Sequence, residues 1–310
     1  MGRDLDAPVR GATVDTSELI ANRFAGRLLN VTAASRLLAN LAGQRRSRQR
    51  GRGLEFEEVR QYVPGDDVRA IDWRVTARSG EPHTKLFHED HEQPITVAVD
   101  LRAPMKFGSV NAFKSVLAAH TASLLLWSAL DRGERVGAMV LHDGGISEIR
   151  AKRSRNTVLH ALGTLASFGQ PVDNIPDLPA GHLGELLTQL QSSASPGGRI
   201  FLISDFHDGL TSQSLQPLRL LAKRSQVVAL HISDPLESRL PSAGRYSVSD
   251  GTHAASLDTT DADARSGYQR QFTEAVEALV RGYRDYRIPT LRLSTDRAPL
   301  AALQPVFPGR

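Results

Sequence analysis

The hydrophobic pattern divides the chain near residue 94. Beyond that point, short apolar runs alternate with segments in which apolar residues recur every three or four positions. The runs predict buried strands and the segments predict amphipathic helices. The predicted strands cover residues 95–99, 136–141, 199–204, 227–232 and 291–293, with a hairpin partner for the second strand at 146–149. This alternation favours a three-layer α/β fold with a mainly parallel sheet over residues 94–310 and a small β insertion near residues 242–258.

The residues before position 94 are patterned differently. Residues 1–15 predict a disordered tail. Ile20, Phe24 and Leu28 then follow at four-residue spacing, and they predict a helix that has Thr16 or Ser17 as its N-cap. The helix is predicted to continue to residue 41, either unbroken or with a break near Asn30. An arginine-rich arm and a polar, β-rich module complete a predicted unit of residues 16–93.

Composition narrows the class of protein. Apolar residues make up 40% of the chain and charged residues 23%, as in soluble globular proteins. No stretch approaches the roughly 18 apolar residues of a membrane span, and the charged first residues do not read as a secretory signal. The chain has no cysteine, which excludes disulfides, thiolate metal ligands and cysteine nucleophiles. These features together predict a cytoplasmic protein.

Two acidic residues directly follow predicted strands. Asp100 follows the strand at 95–99, and Asp205 follows the strand at 199–204. Because sites in parallel sheets lie at the carboxyl ends of strands, both carboxylates are candidates for binding Mg²⁺. A von Willebrand factor A domain would place Asp-x-Ser-x-Ser here, but this chain has Arg102 and Pro104 at the serine positions. We therefore predict a degenerate metal site without a bound metal, in which Asp100 pairs with Arg102 or caps the following turn.

The alternative is a metal-dependent hydrolase or nuclease that uses Asp100 and Asp205. The run HEDHE at residues 88–92 offers further ligands, but His88 and His91 would point to opposite faces of a strand. The sequence also contains neither the G-x-x-x-x-G-K-[ST] loop of nucleotide hydrolysis nor the G-x-S-x-G elbow of α/β-hydrolases. We predict no catalytic residue and no cofactor, and Mg²⁺ is the alternative that stays open.

Basic residues cluster before the polar module. The net charge of the chain is +4. Six arginines follow one another without an intervening acid: Arg36, Arg45, Arg46, Arg48, Arg50 and Arg52. One interpretation is a phosphate-binding patch for nucleic acid or an anionic lipid surface. A solvated arm that pairs with nearby acids is favoured, because no aromatic residue is interleaved for base stacking.

The polar module interleaves acids, basic residues and single aromatics. Residues 51–94 read GRGLEFEEVRQYVPGDDVRAIDWRVTARSGEPHTKLFHEDHEQP. Charge of this density around aromatic side chains predicts a fixed, partly buried polar network. The distinctive positions of this signature are Glu55, Arg60, Tyr62, Asp66, Asp67, Arg69, Asp72, Trp73, Arg78, Lys85 and Glu89.

These positions carry a family resemblance. The segment resembles the signature of the bacterial "domain of unknown function 58" family, and the α/β region after it is similar to the A-like domain of that family; the resemblance covers roughly residues 40–310. It implies no established reaction. It implies an adaptor or chaperone-like protein that works with a MoxR-type AAA+ ATPase and other A-domain proteins in the assembly or maturation of a complex. Many members carry N-terminal membrane helices and a serine-bearing metal motif, and this sequence departs from both patterns.

The charged signature has a structural and a functional interpretation. Four basic residues are natural partners for four acidic ones: Arg60, Arg69, Arg78 and Lys85 for Glu55, Asp67, Asp72 and Glu89. A salt-bridge network that locks the segment onto the sheet is favoured, and the alternatives are a docking surface for a partner protein and a catalytic site. Asp66 and Asp67 are also predicted to cap a turn at residues 71–73.

Overall fold

The structure is a computed structural model that describes residues 7–32, 55–63, 68, 71–88, 93–170, 183–208, 212–249 and 254–309. At residues 55–60, 85–88, 212–213, 248–249 and 254–255 it describes the backbone alone. The chain divides into a larger unit, Met1–Arg45 with Gln93–Arg310, and a smaller unit, Arg46–Glu92. The smaller unit ends at Glu92, next to the boundary predicted at residue 93. The predicted N-terminal helix lies in the larger unit and not with the polar module.

The described strands and helices are numbered along the chain. The strands are β1 (Glu55–Gln61), β2 (His83–His88), β3 (Ile95–Asp100), β4 (Val136–His142), β5 (Gly145–Lys152), β6 (Arg199–Ser204), β7 (Gln226–Ser233), β8 (Arg245–Ser249), β9 (Ala254–Asp258) and β10 (Thr290–Ser294). The α-helices are α1 (Thr16–Ala21), α2 (Arg23–Gly26), α3 (Trp73–Ser79), α4 (Lys114–Asp131), α5 (Arg155–Phe168), α6 (Leu183–Ser193), α7 (Ser212–Arg224), α8 (Pro235–Ser238), α9 (Ala262–Asp285) and α10 (Pro299–Leu303).

A six-stranded sheet forms the centre of the larger unit. Its strand order is β10-β7-β6-β3-β4-β5, and every neighbouring pair is parallel except β4 with β5. All five predicted strands are present, and so is the hairpin partner of the second. Strands β8 and β9 pair as a separate antiparallel hairpin at the predicted insertion. The predicted fold class, α/β with a mainly parallel sheet, is confirmed.

Helices cover both faces of this sheet. Side chains alternate along each strand, so Val97 and Val99 enter the core beneath α4 and α5, while Ala98 enters the core beneath α6, α7 and α9. Helix α4 is buried along almost its whole length. A helix that is apolar on all sides needs cover on all sides, and here α1 and α2 supply the outer cover.

The N-terminal segment corrects three predictions. Residues 7–15 are not a disordered tail, because Val14 is buried and the Gly11 amide donates to the Asn111 carbonyl at 2.9 Å. The N-cap of α1 is Asp15, whose carboxylate accepts the Ser17 amide at 2.6 Å. The predicted helix is broken after Ala21 and ends at Gly26, and residues 33–41 lie outside the described residues.

Close packing on α4 explains the end of α2. A Cβ atom at position 26 would lie 2.9 Å from Cβ of Trp127, so only glycine permits this approach. Contact on this side buries Leu19, Ala25 and Leu29. The regularly spaced residues Ile20, Phe24 and Leu28 consequently face away and are exposed. The four-residue spacing thus marks the outer face of this segment.

The smaller unit is built from one hairpin and one short helix. Strands β1 and β2 pair antiparallel, with a bulge between Phe56 and Glu58. The Asp72 carboxylate caps α3 by accepting the amides of Arg74 at 3.0 Å and Val75 at 3.2 Å. The helix ends at Gly80, whose φ of 77° places it in the left-handed region. The sequence assigned the capping role to Asp66 and Asp67, which lie outside the described residues.

Candidate functional site

The candidate site lies at the carboxyl ends of the central strands. Strand β3 is flanked by β4 on one side and by β6 on the other, so the chain order reverses direction between β3 and β6. Such a reversal opens a crevice above the sheet, where ligands bind in open α/β folds. Nine charged residues in three separate groups of contacts lie here, and we call them together the charged edge: Asp100, Arg102 and Asp208; Lys106 and Asp143; and Lys114, Asp205, Asp234 and Glu237.

Asp100 pairs with Arg102, as the sequence indicated. The guanidinium donates from Nε to Oδ1 at 2.9 Å and from Nη2 to Oδ2 at 2.7 Å, a two-pronged geometry that lysine could not provide. The backbone amide of Arg102 also donates to Oδ1 at 3.1 Å, and the Ser204 hydroxyl donates to Oδ2 at 2.8 Å. Both side chains are almost inaccessible, with 3% of Arg102 and 1% of Asp100 exposed. Asp100 is therefore fully occupied by intramolecular donors.

Arg102 also reaches a second carboxylate. Its Nη1 donates to Asp208 Oδ2 at 2.8 Å, and the Leu183 amide donates to the same oxygen at 2.9 Å. Burial acts to lower the pKa of Arg102, but hydrogen bonds and charge attraction from Asp100 and Asp208 outweigh it and raise that pKa. The guanidinium is therefore a permanent cation held between two carboxylates.

The turn after β3 is fixed through Asp143. Pro104 lies in the 3-10 turn Ala103–Met105, where it offers no ligand atom. The Asp143 carboxylate, just after β4, accepts the Ala103 amide at 2.9 Å and the Lys106 ammonium at 3.1 Å. This pairing holds the turn that carries Arg102 against the neighbouring strand.

Asp205 has a different partner, which the sequence did not indicate. Lys114, the first residue of α4, donates its ammonium to Asp205 Oδ2 at 2.7 Å and also to Glu237. Burial acts to lower the pKa of Lys114, but attraction from Asp205 and Glu237 raises it above its usual value. A second buried cation thus bridges a second pair of carboxylates.

Asp234 completes the charged edge, and within the described part of the chain no basic side chain pairs with it. It follows β7 and accepts the Ser109 amide at 2.9 Å, the hydroxyls of Ser109 and Thr295, and the Leu236 amide at 2.9 Å. Burial acts to raise its pKa, but the hydrogen bond from the Ser109 side chain and the others lower it. Its own amide donates to Glu237 at 2.8 Å, which closes a capping box on α8. The sequence contains a signal for this residue, since Ile-Ser directly precedes both Asp205 and Asp234.

His231 lies beneath this edge as a neutral side chain. It is buried in β7 and stacks near Phe206, with 6.2 Å between ring centroids. Burial lowers the pKa of His231 to about 4, and the opposing attraction of Asp205 is weaker. Such a histidine is a weak base at neutral pH, so the geometry does not favour it as a general base.

The donor set around Asp100 does not fit a divalent cation. The positions that supply serine hydroxyls in an A domain hold the buried guanidinium of Arg102 and the ring of Pro104. A metal ion at Asp100 would have to displace that guanidinium from two carboxylates. Among the described residues, no group of three or more His, Asp or Glu side chains is arranged to hold a metal ion.

Only some of the signature residues lie in the described part of the chain. Glu55 and Arg60 lie in β1 and Lys85 lies in β2, with their side chains outside the described set. Several other predicted positions fall outside the described residues: Asp66, Asp67, Arg69, Glu89, the rest of 89–92, and the arginine stretch from Arg36 to Arg52. The salt-bridge network and the phosphate-binding patch therefore stay predictions.

Trp73 is an exposed aromatic residue of the signature. The first residue of α3 is 70% exposed, and Arg74 and Arg78 on the same helix are exposed as well. Tyr62 is half-buried at the end of β1, and its amide donates to the Pro82 carbonyl at 2.8 Å. At least one aromatic of the signature thus faces solvent.

The chain is similar to several known proteins. The chain is 30% identical over 279 residues to uncharacterized proteins of Mycobacterium tuberculosis and Mycobacterium bovis, covering 89% of this chain and 85% of theirs. Among solved structures it is similar to the conserved hypothetical protein BatB from Bacteroides thetaiotaomicron, with 14% identity, a TM-score of 0.45, and coverage of 69% of this chain and 95% of that one. It is also similar to the SpRpn10 VWA domain, with 12% identity, a TM-score of 0.39, and coverage of 71% and 99%.

The family model described as "Protein of unknown function DUF58" matches residues 58–278, which include most of the polar signature and the charged edge. No described helix is long and apolar enough to cross a membrane. The match spans well over half of the sequence, and the chain therefore belongs to the DUF58 family.

Proposed function

We propose that this protein is a non-enzymatic adaptor or chaperone-like scaffold that docks a MoxR-type AAA+ ATPase during assembly or maturation of a protein complex. The proposal rests on the internal pairing of the charged edge, where Arg102 and Lys114 each bridge two carboxylates. A catalytic or metal-binding carboxylate must be available to substrate or ion. Here the carboxylates are committed to internal partners, which supports a structural role and the absence of a bound metal.

The smaller unit supports protein binding. Helix α3 exposes Trp73 beside Arg74 and Arg78, and Val63 and Val68 of the same unit are also exposed. Tryptophan and arginine are the residues most enriched at interface hot spots. An exposed indole costs free energy in water unless a partner covers it, so helix α3 is the surface through which we propose that the ATPase docks.

Affinity capture followed by mass spectrometry tests this function. The tagged full chain is incubated at low salt with extract of the native host, and three forms are compared: wild type, Trp73→Ala and Phe24→Ala. Phe24 is the matched control, because it is 69% exposed but lies in the larger unit. We expect wild type and Phe24→Ala to recover an AAA+ ATPase, and Trp73→Ala to recover at least about tenfold less. If wild type recovers neither an ATPase nor an A-domain protein, the proposal fails.

A further inference from the structure

A small apolar cavity lies beside the charged edge in the larger unit. Its volume is about 300 Å³. Its apolar walls come from four separate parts of the fold, namely the loop before α4, helix α8 with the loop after it, strand β9, and helix α9. The residues that supply these walls are Phe107, Leu236, Leu240, Leu257 and Tyr268.

Hydrogen bonds fix the walls of this cavity in place. The capping box between Asp234 and Glu237 anchors α8. The Thr259 hydroxyl, at the base of the β8–β9 hairpin, donates to the Ser242 carbonyl at 2.8 Å and lies 3.1 Å from the Gly244 carbonyl. Arg265 of α9 donates to the Thr260 carbonyl at 3.0 Å. These bonds fasten the base of the small hairpin to the segment before β8 and to helix α9.

Glu237, Ser256 and Tyr268 supply the polar groups of the cavity lining. Glu237 is 25% exposed although both of its oxygens accept hydrogen bonds, one from Lys114 and one from the Asp234 amide. Tyr268 is 38% exposed, and no described residue hydrogen-bonds its hydroxyl. Burial and the nearby charge of Glu237 raise the pKa of Tyr268, so its hydroxyl stays protonated and available as a donor. The lining therefore combines apolar side chains with hydroxyl donors and one carboxylate.

The charge next to the cavity favours a cationic ligand. The group of the charged edge that contains Glu237 has three carboxylates, Asp205, Asp234 and Glu237, and one cation, Lys114, which leaves an excess of two negative charges. Glu237 belongs both to this edge and to the cavity lining. A group that enters beside Glu237 thus meets a negative potential, which attracts cations and repels acids.

We propose that this cavity binds one large apolar side chain of a partner polypeptide that has a lysine or arginine next to that side chain. The volume is at the small end of ligand cavities, which run from about 300 to 1,000 Å³, and it suits a single side chain better than a larger molecule. An anchored side chain with a flanking charge is a common way for domains to recognise extended peptides. The choice of a polypeptide as ligand rests on the proposed scaffold function, whereas the preference for an apolar and basic group comes from the cavity.

Four short peptides test the proposal on the full chain. They are fluorescein-labelled hexapeptides of the form Gly-Ser-X-Z-Ser-Gly, in which X is phenylalanine or alanine and Z is lysine or glutamate. Fluorescence anisotropy should show that the Phe–Lys peptide binds at least about tenfold more tightly than the Ala–Lys peptide, because burial of a large apolar side chain drives binding. It should also bind more tightly than the Phe–Glu peptide, by a factor that shrinks as salt is added.

Variants locate the binding site. Leu240→Glu places a charge in the cavity and should lower affinity for the Phe–Lys peptide at least about tenfold. Leu220→Glu is the matched control, because Leu220 is 40% exposed on α7 and outside the cavity lining. Circular dichroism shows whether Leu240→Glu remains folded. If it does not, Ser256→Trp replaces it, because Ser256 is an exposed residue of the cavity lining and a tryptophan there should fill the cavity. Ser256→Trp should likewise lower the affinity for the Phe–Lys peptide.

Three results would overturn the proposal. They are equal binding of all four peptides, no binding of the Phe–Lys peptide at about 1 mM, and undiminished binding to the folded cavity variants. Failure here is separable from failure of the scaffold proposal, because ATPase capture is tested through Trp73 in the smaller unit. If the peptide binds but no ATPase is captured, the result supports the cavity as a peptide site and contradicts the proposed ATPase partner. If an ATPase is captured but the peptide does not bind, the result contradicts the cavity proposal alone.

Discussion

The charged edge and helix α3 use similar side chains in opposite ways. At the edge, the guanidinium of Arg102 and the ammonium of Lys114 are buried, and each lies between two carboxylates. On α3, Arg74 and Arg78 are exposed beside the exposed indole of Trp73. Charge density in a sequence is therefore no guide to whether the charges face inward or outward. The first arrangement serves stability, and the second leaves its groups free for a partner.

Breaking a pair at the charged edge should have the largest effect on stability. Arg102→Met leaves Asp100 buried without its main partner and removes one bond to Asp208, so we expect a loss of about 3–5 kcal/mol in the free energy of unfolding. Urea denaturation measures this loss. The control is Arg281→Met, since Arg281 is exposed and pairs with Glu277 at 3.4 Å. That change should cost less than about 0.5 kcal/mol.

A loss below about 1 kcal/mol for Arg102→Met would show that the edge is open to water and would weaken the contrast with α3. Adding Asp100→Asn to Arg102→Met should regain part of the lost stability, because the amide carries no charge to leave unpaired. No such recovery is expected when Asp100→Asn is added to Arg281→Met.

The buried histidine predicts a pH dependence at the same edge. The pKa of His231 is lowered to about 4 by burial, against about 6.5 in the unfolded chain. Below about pH 6.5 the unfolded chain binds a proton that the folded chain does not, so stability falls as the pH falls, and the loss levels off below about pH 4. We expect His231 to account for a loss of about 3 kcal/mol between pH 6.5 and pH 4.

The contribution of His231 is isolated by comparing the free energy of unfolding of wild type with that of His231→Gln. The lowered pKa of Asp234 affects stability mainly below about pH 4, and it does so in both proteins. Urea denaturation across the pH range supplies the two curves. If the plots of unfolding free energy against pH are parallel for wild type and variant, the prediction is wrong, and water must reach His231 beneath the charged edge.

Regular elements of the larger unit could be predicted because their signal is local. Strands buried on both faces of a parallel sheet appear as continuous apolar runs, and the run at Ile95–Asp100 is one of them. The N-terminal segment could not be predicted in the same way. Its buried face depends on how closely Gly26 approaches Trp127, about one hundred residues away in the chain. The spacing of Ile20, Phe24 and Leu28 consequently pointed to the wrong face.

The candidate site shows the same limit. Asp100 and Arg102 are two residues apart, so their pairing could be inferred from the sequence. Lys114 lies 91 residues from Asp205 and 123 residues from Glu237, and only the fold brings them together. Lys114 is also the first residue of a strongly apolar helix. From the sequence, a lysine at the start of such a helix is expected to be exposed to solvent. Pairings across the sheet edge need the strand order, which the sequence alone did not supply.

A smaller stability effect is expected at the exposed surface. Trp73→Ala should change the free energy of unfolding by less than about 0.5 kcal/mol, because the indole is exposed. Trp127→Ala is the matched comparison, since that indole is fully buried and donates to the Leu19 carbonyl at 3.0 Å. It should cost about 3–5 kcal/mol. Thermal and urea unfolding of both variants give the comparison, and a large loss for Trp73→Ala would mean that α3 is a packing element rather than a docking surface.

The smallest expected effect is the response of wild type to divalent cations. Because Arg102 and Lys114 occupy the carboxylates, we expect about 10 mM Mg²⁺, Mn²⁺ or Zn²⁺ to raise the free energy of unfolding by less than about 0.1 kcal/mol. A site with a dissociation constant of about 0.1 mM would raise it by about 2.7 kcal/mol under the same conditions. Isothermal titration calorimetry provides an independent measurement. Stoichiometric binding that is lost in Asp100→Ala would restore the metal-dependent hydrolase hypothesis, because the carboxylates would then have to exchange their internal cations for a metal ion.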